Sequence, residues 1–242
     1  MRVTDRIVQI GGRWGTGFPG ANVFFLLDSK LTIVDTGFKG RAMHILKEAR
    51  LYGYHASDIT NIIITHHHAD HMGSLSELKK LTGVRVIAHP ADAPYIDGTR
   101  PQPGPSWPVW LGKALSPCPG LWGLCAPAKV DMPVNDNDEL PVLGGIKVLH
   151  TPGHTPGSIS LYLKYEKVLI VGDLLADRFG LSLPSKKFTV NLAQQIESIN
   201  SITSLDFEVV CFGHGPPLKH NARESISRLA RKVEGKYLKG SK

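Results

Sequence analysis

The sequence predicts an α/β (α+β) protein, a four-layer αβ/βα sandwich formed as one domain over residues 1–242. Three observations carry that expectation. Short apolar runs bounded by turn residues come first in hairpin-like succession and later alternate with segments of helical period. Two sheets with helices outside both would bury all of these elements. The length of 242 residues, with 42% apolar and 20% charged residues, is that of an ordinary globular chain able to bury a sizeable core.

The elements follow in order. "RIVQIGG" (6–12), "NVFFLLDS" (22–29) and "LTIVDTG" (31–37) read as successive strands, and the link "DSK" between the last two predicts a hairpin. Ala42, Ile45, Leu46 and Ala49 place a helix over 41–52. "NIIIT" (61–65) follows as a buried strand, then a helix near 74–82, then "VRVIAH" (84–89). After an interruption come "IKVLH" (146–150), "SISLYL" (158–163), "KVLIVGD" (167–173), a helix near 191–204, "EVVCFGH" (208–214) and a basic C-terminal helix. No repeat at a solenoid period is present.

The interruption, residues 98–128, holds seven of the 17 prolines and three of the four tryptophans, Trp107, Trp110 and Trp122. Proline at that density removes ladder donors and breaks helices, while exposed tryptophans are costly in water. We expect a lid or wall over a site; a homodimer contact and packing on the domain's own surface are the alternatives.

The net charge of +7 invites a nucleic-acid reading, but its distribution argues against one. Residues 219–242 carry eight Lys or Arg against two Glu, a net +6. Ile226, Leu229, Ala230, Val233 and Tyr237 recur there at helical spacing, so the charge reads as the solvated face of an amphipathic helix, with an anionic partner as the alternative. No apolar run approaches the ~20 residues of a membrane span. The N-terminal segment lacks the apolar core of a signal peptide, and we expect the cytoplasm. Three cysteines without CxxC spacing argue against a disulfide framework; Cys118 and Cys125 are expected as thiols, with pairing as the alternative.

The chemistry concentrates in "IIITHHHADHMG" (62–73). Side chains two apart on extended backbone point the same way. His66 and His68 can therefore reach one point while His67 faces packing, and Asp70 and His71 can serve a second point, with Gly73 easing the turn into a helix. Imidazole and carboxylate ligands suit zinc, and two metals roughly 3.5–4 Å apart form a recognised hydrolytic arrangement. One segment cannot complete two coordination shells. Three others offer the missing ligands: His154 in "VLHTPGHTPGS", Asp173 ending "VLIVGD", and His214 in "VVCFGHG". Each lies at or just beyond the C-terminal end of a strand, where ligand sites of α/β folds gather, and glycine flanks all three.

On these residues the chain resembles the metallo-β-lactamase superfamily. "HHHADH" fits that family's H-x-H-x-D-H signature, His154, Asp173 and His214 arrive in the family's order, and "IVDTG" (33–37) matches its early strand-turn; the resemblance covers roughly residues 3–218. It implies one metal on His66, His68 and His154, another on Asp70, His71 and His214, and Asp173 bridging the two. Zinc is implied first, with iron or manganese accepted by the same geometry. Asp35 is implied to orient a ligand or loop; a turn-capping aspartate is the alternative reading. The implied reaction is attack on a polarised carbonyl or phosphoryl group by hydroxide held at the dinuclear site, with Asp70 orienting the nucleophile.

The presence of His71 and the bridging position of Asp173 resemble the glyoxalase II, lactonase and phosphodiesterase branches more than the zinc β-lactamases with a cysteine ligand. The glutathione-binding C-terminal segment of glyoxalase II is not recognisable. The expectation is hydrolysis of a carboxylic ester, lactone or thioester of small-molecule size, with promiscuous β-lactam cleavage. The alternatives are a phosphodiesterase or nuclease, an iron-dependent persulfide dioxygenase or other redox relative, and a binding protein with a vestigial site. Other histidines are expected to be structural: His44, His55 and His220 on the surface, and His89 and His150 at strand ends, where a role supporting a ligand is the alternative. Cys211 reads as core. "GGRWGTGFPG" (11–20) lacks the Lys-Ser/Thr of a phosphate loop, and Trp14 and Phe18 within it are substrate-contact candidates together with Trp107, Trp110 and Trp122.

Overall fold

The computed structural model describes residues 1–11, 20–101 and 125–237. The chain divides into two compact units, Met1–Pro133 and Val134–Lys242, and each carries one sheet.

The first unit holds β1 (Ile7–Ile10), β2 (Val23–Leu27), β3 (Leu31–Val34), β4 (Ile59–Ile63), β5 (Arg85–Ala88) and β6 (Met132–Pro133), side by side in sequence order. β1, β2 and β3 are antiparallel, and Leu27 opposite Leu31 closes the hairpin that "DSK" implied. From β3 to β6 the pairing is parallel, so each connection must cross over, and helices do so. These are α1 (Ala42–Leu51) after β3, then α2 (Ala69–Met72) and α3 (Leu75–Thr82) after β4, and α4 (Ala93–Ile96) after β5. Every residue of β1 and β3 is buried, as strands covered on both faces require. α1 presents Ala42, Ile45 and Ala49 as one apolar stripe and α3 adds Leu75 and Leu78, all joined in a core with Ile33, Ile62 and Val86. α3 stops where Gly83 turns left-handed (φ 69°) and donates its N–H to Lys79 O at 2.9 Å.

The second unit holds β7 (Glu139–Leu140), β8 (Ile146–His150), β9 (Ile159–Leu163), β10 (Val168–Ile170) and β11 (Val209–Cys211), ordered β11-β10-β9-β8-β7. All pairs are antiparallel except β10 with β11, whose crossover is α5 (Leu192–Ile202). α6 (Ala222–Tyr237) follows and buries Ala222, Ile226, Ala230 and Val233. Those side chains join Ile199 and Ile202 of α5 and Leu169, Val210 and Phe212 of the sheet in one core. Lys186 lies 4.1 Å over the ring of Tyr237, a cation–π contact on the tail helix.

Several expectations are refined. The strand read over 61–65 is β4, which begins two residues earlier; its ladder continues to Ile64, whose N–H donates to Ile87 O at 2.9 Å. "KVLIVGD" is shorter as a strand, because Gly172–Leu174 turns into a 3-10 helix that carries Asp173. α2, α4, β6 and β7 span two to four residues each, too few for a period to show in the sequence. Among the described residues no helix is long and apolar enough to cross a membrane. Trp14, Phe18, Trp107, Trp110, Cys118 and Trp122 lie outside the described residues, and with them the lid, dimer and Cys118–Cys125 readings.

Gly73 needs correction. It stands between α2 and α3 but offers no special turn into α3, since it closes α2 with ordinary helical angles (φ −59°, ψ −34°). The requirement is space. Its N–H donates to Gly37 O at 2.9 Å, and a Cβ there would run into Lys39 N, Ala69 O and Phe38 C, all backbone atoms. The glycine thus lets the 37–39 turn lie directly on the end of α2. Gly73→Ala is expected to lower stability by about 1–3 kcal/mol, the usual cost of overpacking a site that cannot relax; urea unfolding of the two proteins measures it.

Candidate metal centre

In the first unit, β4 delivers the loop Thr65–His68, and His68 enters α2 in extended conformation (φ −67°, ψ 148°). Alternation places His66 and His68 on one side, and their Nε2 and Nδ1 atoms face each other at 3.1 Å. His67 turns away. Its ring stacks on Tyr95 with centroids 4.4 Å apart, and its backbone N–H donates to Asp92 Oδ2 at 2.9 Å. The one-turn helix α2 brings Asp70 and His71 alongside. His71 Nε2 is 4.0 Å from Asp70 Oδ2, and the rings of His66 and His71 have centroids 4.0 Å apart.

Asp35, 1% exposed, underlies this group. Its carboxylate accepts the Thr65 N–H (2.8 Å), the Thr65 hydroxyl (2.8 Å) and the His71 Nδ1–H (2.7 Å). Three donors are what a buried carboxylate requires. The arrangement also sets tautomers. The Thr65 proton is committed to Asp35, so the Thr65 oxygen, 3.1 Å from His66 Nδ1, accepts the His66 Nδ1–H. His66 and His71 are thereby both left with an Nε2 lone pair. Thr36 fixes the backbone of His71, donating to its carbonyl from N–H (2.6 Å) and hydroxyl (3.0 Å).

In the second unit the candidate ligands His154, Asp173 and His214 follow the ends of β8, β10 and β11. Gly153 (φ 129°), Gly172 (φ 52°) and Gly215 (φ 104°) supply the left-handed turns that the flanking glycines promised. One carboxylate oxygen, Asp173 Oδ2, lies 3.5 Å from His154 Nε2 and 3.3 Å from His214 Nε2. Thr189 plays the part here that Thr65 plays in the first unit: its hydroxyl stands 3.3 Å from His154 Nδ1 and 3.5 Å from Ser185 O. Donating to the carbonyl and accepting from the ring, it also leaves Nε2 as the lone pair.

These donors fit divalent ions. Two ligands about 2.0–2.1 Å from a tetrahedral zinc stand roughly 3.3–3.4 Å apart. The His66–His68 pair at 3.1 Å and the two pairs on Asp173 Oδ2 at 3.3 and 3.5 Å match that spacing. The set of imidazole nitrogens and carboxylates is that of zinc, iron and manganese sites. Among the described residues no cysteine is part of it. Burial, and then the charge of Asp70, push the Cys125 thiol up to about 11, and burial pushes Cys211 up further.

The structure thus gathers His66, His68, Asp70 and His71 with Asp35 in one unit, and His154, Asp173 and His214 in the other. Thr65, Thr189, Asp92 and Gln195 support them and were not singled out in the sequence. Only Thr65, adjacent to the histidine run, carried a local signal. His150 Nε2 meets Pro156 O at 2.9 Å, and His89 Nδ1 accepts the Ala91 N–H at 3.2 Å.

Comparison with known proteins gives the family. The Metallo-beta-lactamase superfamily matches residues 16–214. The probable metallo-hydrolase YflN of Bacillus subtilis (strain 168) is 30% identical over 232 residues, covering 88% of each chain. A hydroxyacylglutathione hydrolase of Ectopseudomonas mendocina (strain ymp) is 31% identical over 118 residues, 48% of this chain and 33% of its own. The crystal structure of a metallo-beta-lactamase family protein from Thermus thermophilus superposes with a TM-score of 0.73 at 21% identity, covering 98% of this chain and 81% of that one. The chain belongs to the metallo-beta-lactamase superfamily, has its mixed α/β two-sheet fold, and is one of its metallo-hydrolases.

Asp35 has φ 60°, a left-handed conformation that Asp and Asn tolerate best. Asp35→Asn therefore spares the backbone while leaving one acceptor oxygen where two took the Thr65 N–H, the Thr65 hydroxyl and the His71 Nδ1–H, so the Thr65–His71 network cannot stay intact. Metal affinity is expected to fall ~10–100-fold, the usual effect of losing a partner behind a ligand histidine, read by competition with a chromogenic chelator.

Proposed function

We propose that the protein is a hydrolase with a dinuclear metal centre, its two units acting as one domain. His66, His68 and His154 would hold one ion, Asp70, His71 and His214 the other, and Asp173 both. Zinc is the first choice, with iron or manganese accepted by the same donors. What carries the reading is the single carboxylate oxygen of Asp173 set within 3.5 Å of the Nε2 atoms of both His154 and His214, which the family pattern assigns to different ions.

Divalent ions held in this way lower the pKa of a bound water and polarise the oxygen of the group under attack. The residues of the chain do the rest. Asp70 is 24% exposed where His71 is fully buried, so its carboxylate reaches both the centre and solvent. It would accept a hydrogen bond from the incoming water and orient it for attack. Asp35 and Thr65 hold His66 and His71 in the tautomer that binds through Nε2, and Thr189 does the same for His154.

For substrate we propose a small carboxylic ester, lactone or thioester, with weak β-lactam cleavage because the attacked group is again a carbonyl. The likeness to a hydroxyacylglutathione hydrolase supports acyl chemistry; it covers 48% of this chain and does not carry glutathione itself as the substrate. We place the reaction in the cytoplasm, where thiols such as Cys125 and Cys211 stay reduced.

The test is a metal count and a panel: p-nitrophenyl esters, lactones, S-lactoylglutathione, bis-p-nitrophenyl phosphate and a chromogenic cephalosporin. Two ions per chain and turnover of acyl substrates are expected, abolished by chelation and restored by zinc. Asp70→Ala is expected to lower kcat by at least ~100-fold, the lower range for losing a positioned acid–base group, with circular dichroism unchanged. Turnover confined to the phosphodiester, with steep salt dependence, would replace this reading by a nuclease. Activity only in an iron form on persulfides would replace it by a dioxygenase.

A further inference from the structure

We propose that Gln195 is a positioning residue for the metal centre, locking the Asp173 loop to the His154 loop; the inference rests on the dinuclear reading above. Gln195 lies in the second turn of α5 and is completely buried. Its side-chain amide donates from Nε2 to two carbonyls, Asp173 O at 3.3 Å and Leu174 O at 2.8 Å. Both partners are acceptors, so the amide has one orientation only. That orientation leaves Oε1 buried with no hydrogen-bond partner among the described residues. An unpaired buried oxygen is costly, and a residue chosen for packing alone would avoid it.

The opposite side of the same residue meets the other ligand loop. A Cβ on Gly153 would run into the Gln195 N, Cα and Cβ atoms, so the chain beside His154 lies directly on Gln195. The approach is fastened from the start of α5. Asn191 donates its N–H to Gly153 O at 2.8 Å and caps the helix through its side chain, accepting from Gln194 N at 3.1 Å. Val190 donates to His154 O at 3.1 Å, and Ser198 to Pro152 O at 2.7 Å. Asp173 itself sits at φ −97°, ψ 23°, a sparsely populated conformation that surroundings must maintain. One residue thus fixes the backbone of the bridging carboxylate on one side and abuts the turn of a ligand histidine on the other. Its substitution is expected to change how firmly ions are held, beyond any change in fold stability.

The experiment compares the full-length wild type, Gln195→Met and Ile199→Val. The last is a destabilising control on the same helix, its side chain in the apolar core. Zinc uptake is read by native mass spectrometry and chelator competition, the cobalt form by its visible spectrum, and stability by thermal unfolding. Gln195→Met is expected to fold, to bind at least one ion ~10–100-fold more weakly, and to shift the cobalt bands. Ile199→Val is expected to lower the Tm and leave affinity and spectrum unchanged. If Gln195→Met holds both ions with wild-type affinity and spectrum, the proposal is overturned. Should Gln195→Met not fold, Gln195→Glu keeps the size and replaces the donor by an acceptor, and its folded fraction is read in the same way. Wild-type protein that takes up no ion would overturn the metal reading together with this one.

Discussion

The buried carboxylate of Asp35 is the interaction on which the His/Asp group of the first unit depends. A histidine can bind an ion through either nitrogen, and five histidine or aspartate side chains within six residues could settle in many ways. Asp35 removes that freedom. It takes the Nδ1–H of His71 directly and, through the committed hydroxyl of Thr65, assigns the Nδ1–H of His66. The carboxylate can do so because its backbone leaves β3 in a left-handed turn (φ 60°), with its N–H still bonded to Ile63 O at 2.9 Å. The strand edge therefore aims the carboxylate under the loop that follows the neighbouring parallel strand.

The second unit solves the same problem with different parts. Thr189 stands behind His154, with its proton directed to a carbonyl and its lone pair to the ring. In both units a threonine hydroxyl passes directional information from an acceptor fixed in the fold to an imidazole. A hydroxyl suits that role because it donates once and accepts as well, so committing its proton decides what it offers the ring. Burial makes the assignment firm. With the rings 1% exposed, water cannot take the place of the threonine without a cost in unpaired groups.

What could be read from the sequence was local. "HHHADH" places four candidate ligands within six residues, and the alternation of an extended segment is enough to separate His67 from His66 and His68. The apolar runs of β1, β2, β3, β8 and β9 and the stripes of α1, α3, α5 and α6 were likewise visible, because each is long enough to show its period or its bounding turns. Asp35 and Thr65 left a trace in the sequence; Thr189 and Gln195 did not. Thr189 is 35 positions from His154, and Gln195 is 22 from Asp173. Nothing in "SKKFTV" or "NLAQQI" marks either residue, since their roles arise from where the α5 crossover comes to rest. Gly73 shows the converse limit: its presence was noticed, but whether a glycine serves a turn or a close approach depends on chain segments some 35 residues away.

The middle histidine explains why three in a row need not mean three ligands. His67 faces the far side of its loop, where Asp92 accepts its backbone N–H and stands 3.0 Å from its Nδ1, with Tyr95 stacked on the ring. Asp92 and Tyr95 belong to the start and body of α4, the short helix after β5, so the loop after β4 is held from below by Asp35 and from the far side by the next strand's connection. A ligand loop restrained on both faces loses little further freedom when an ion binds, and the conformational cost of forming the site falls on folding instead of on binding. The histidine that would touch no ion is in this sense part of what lets its two neighbours do so.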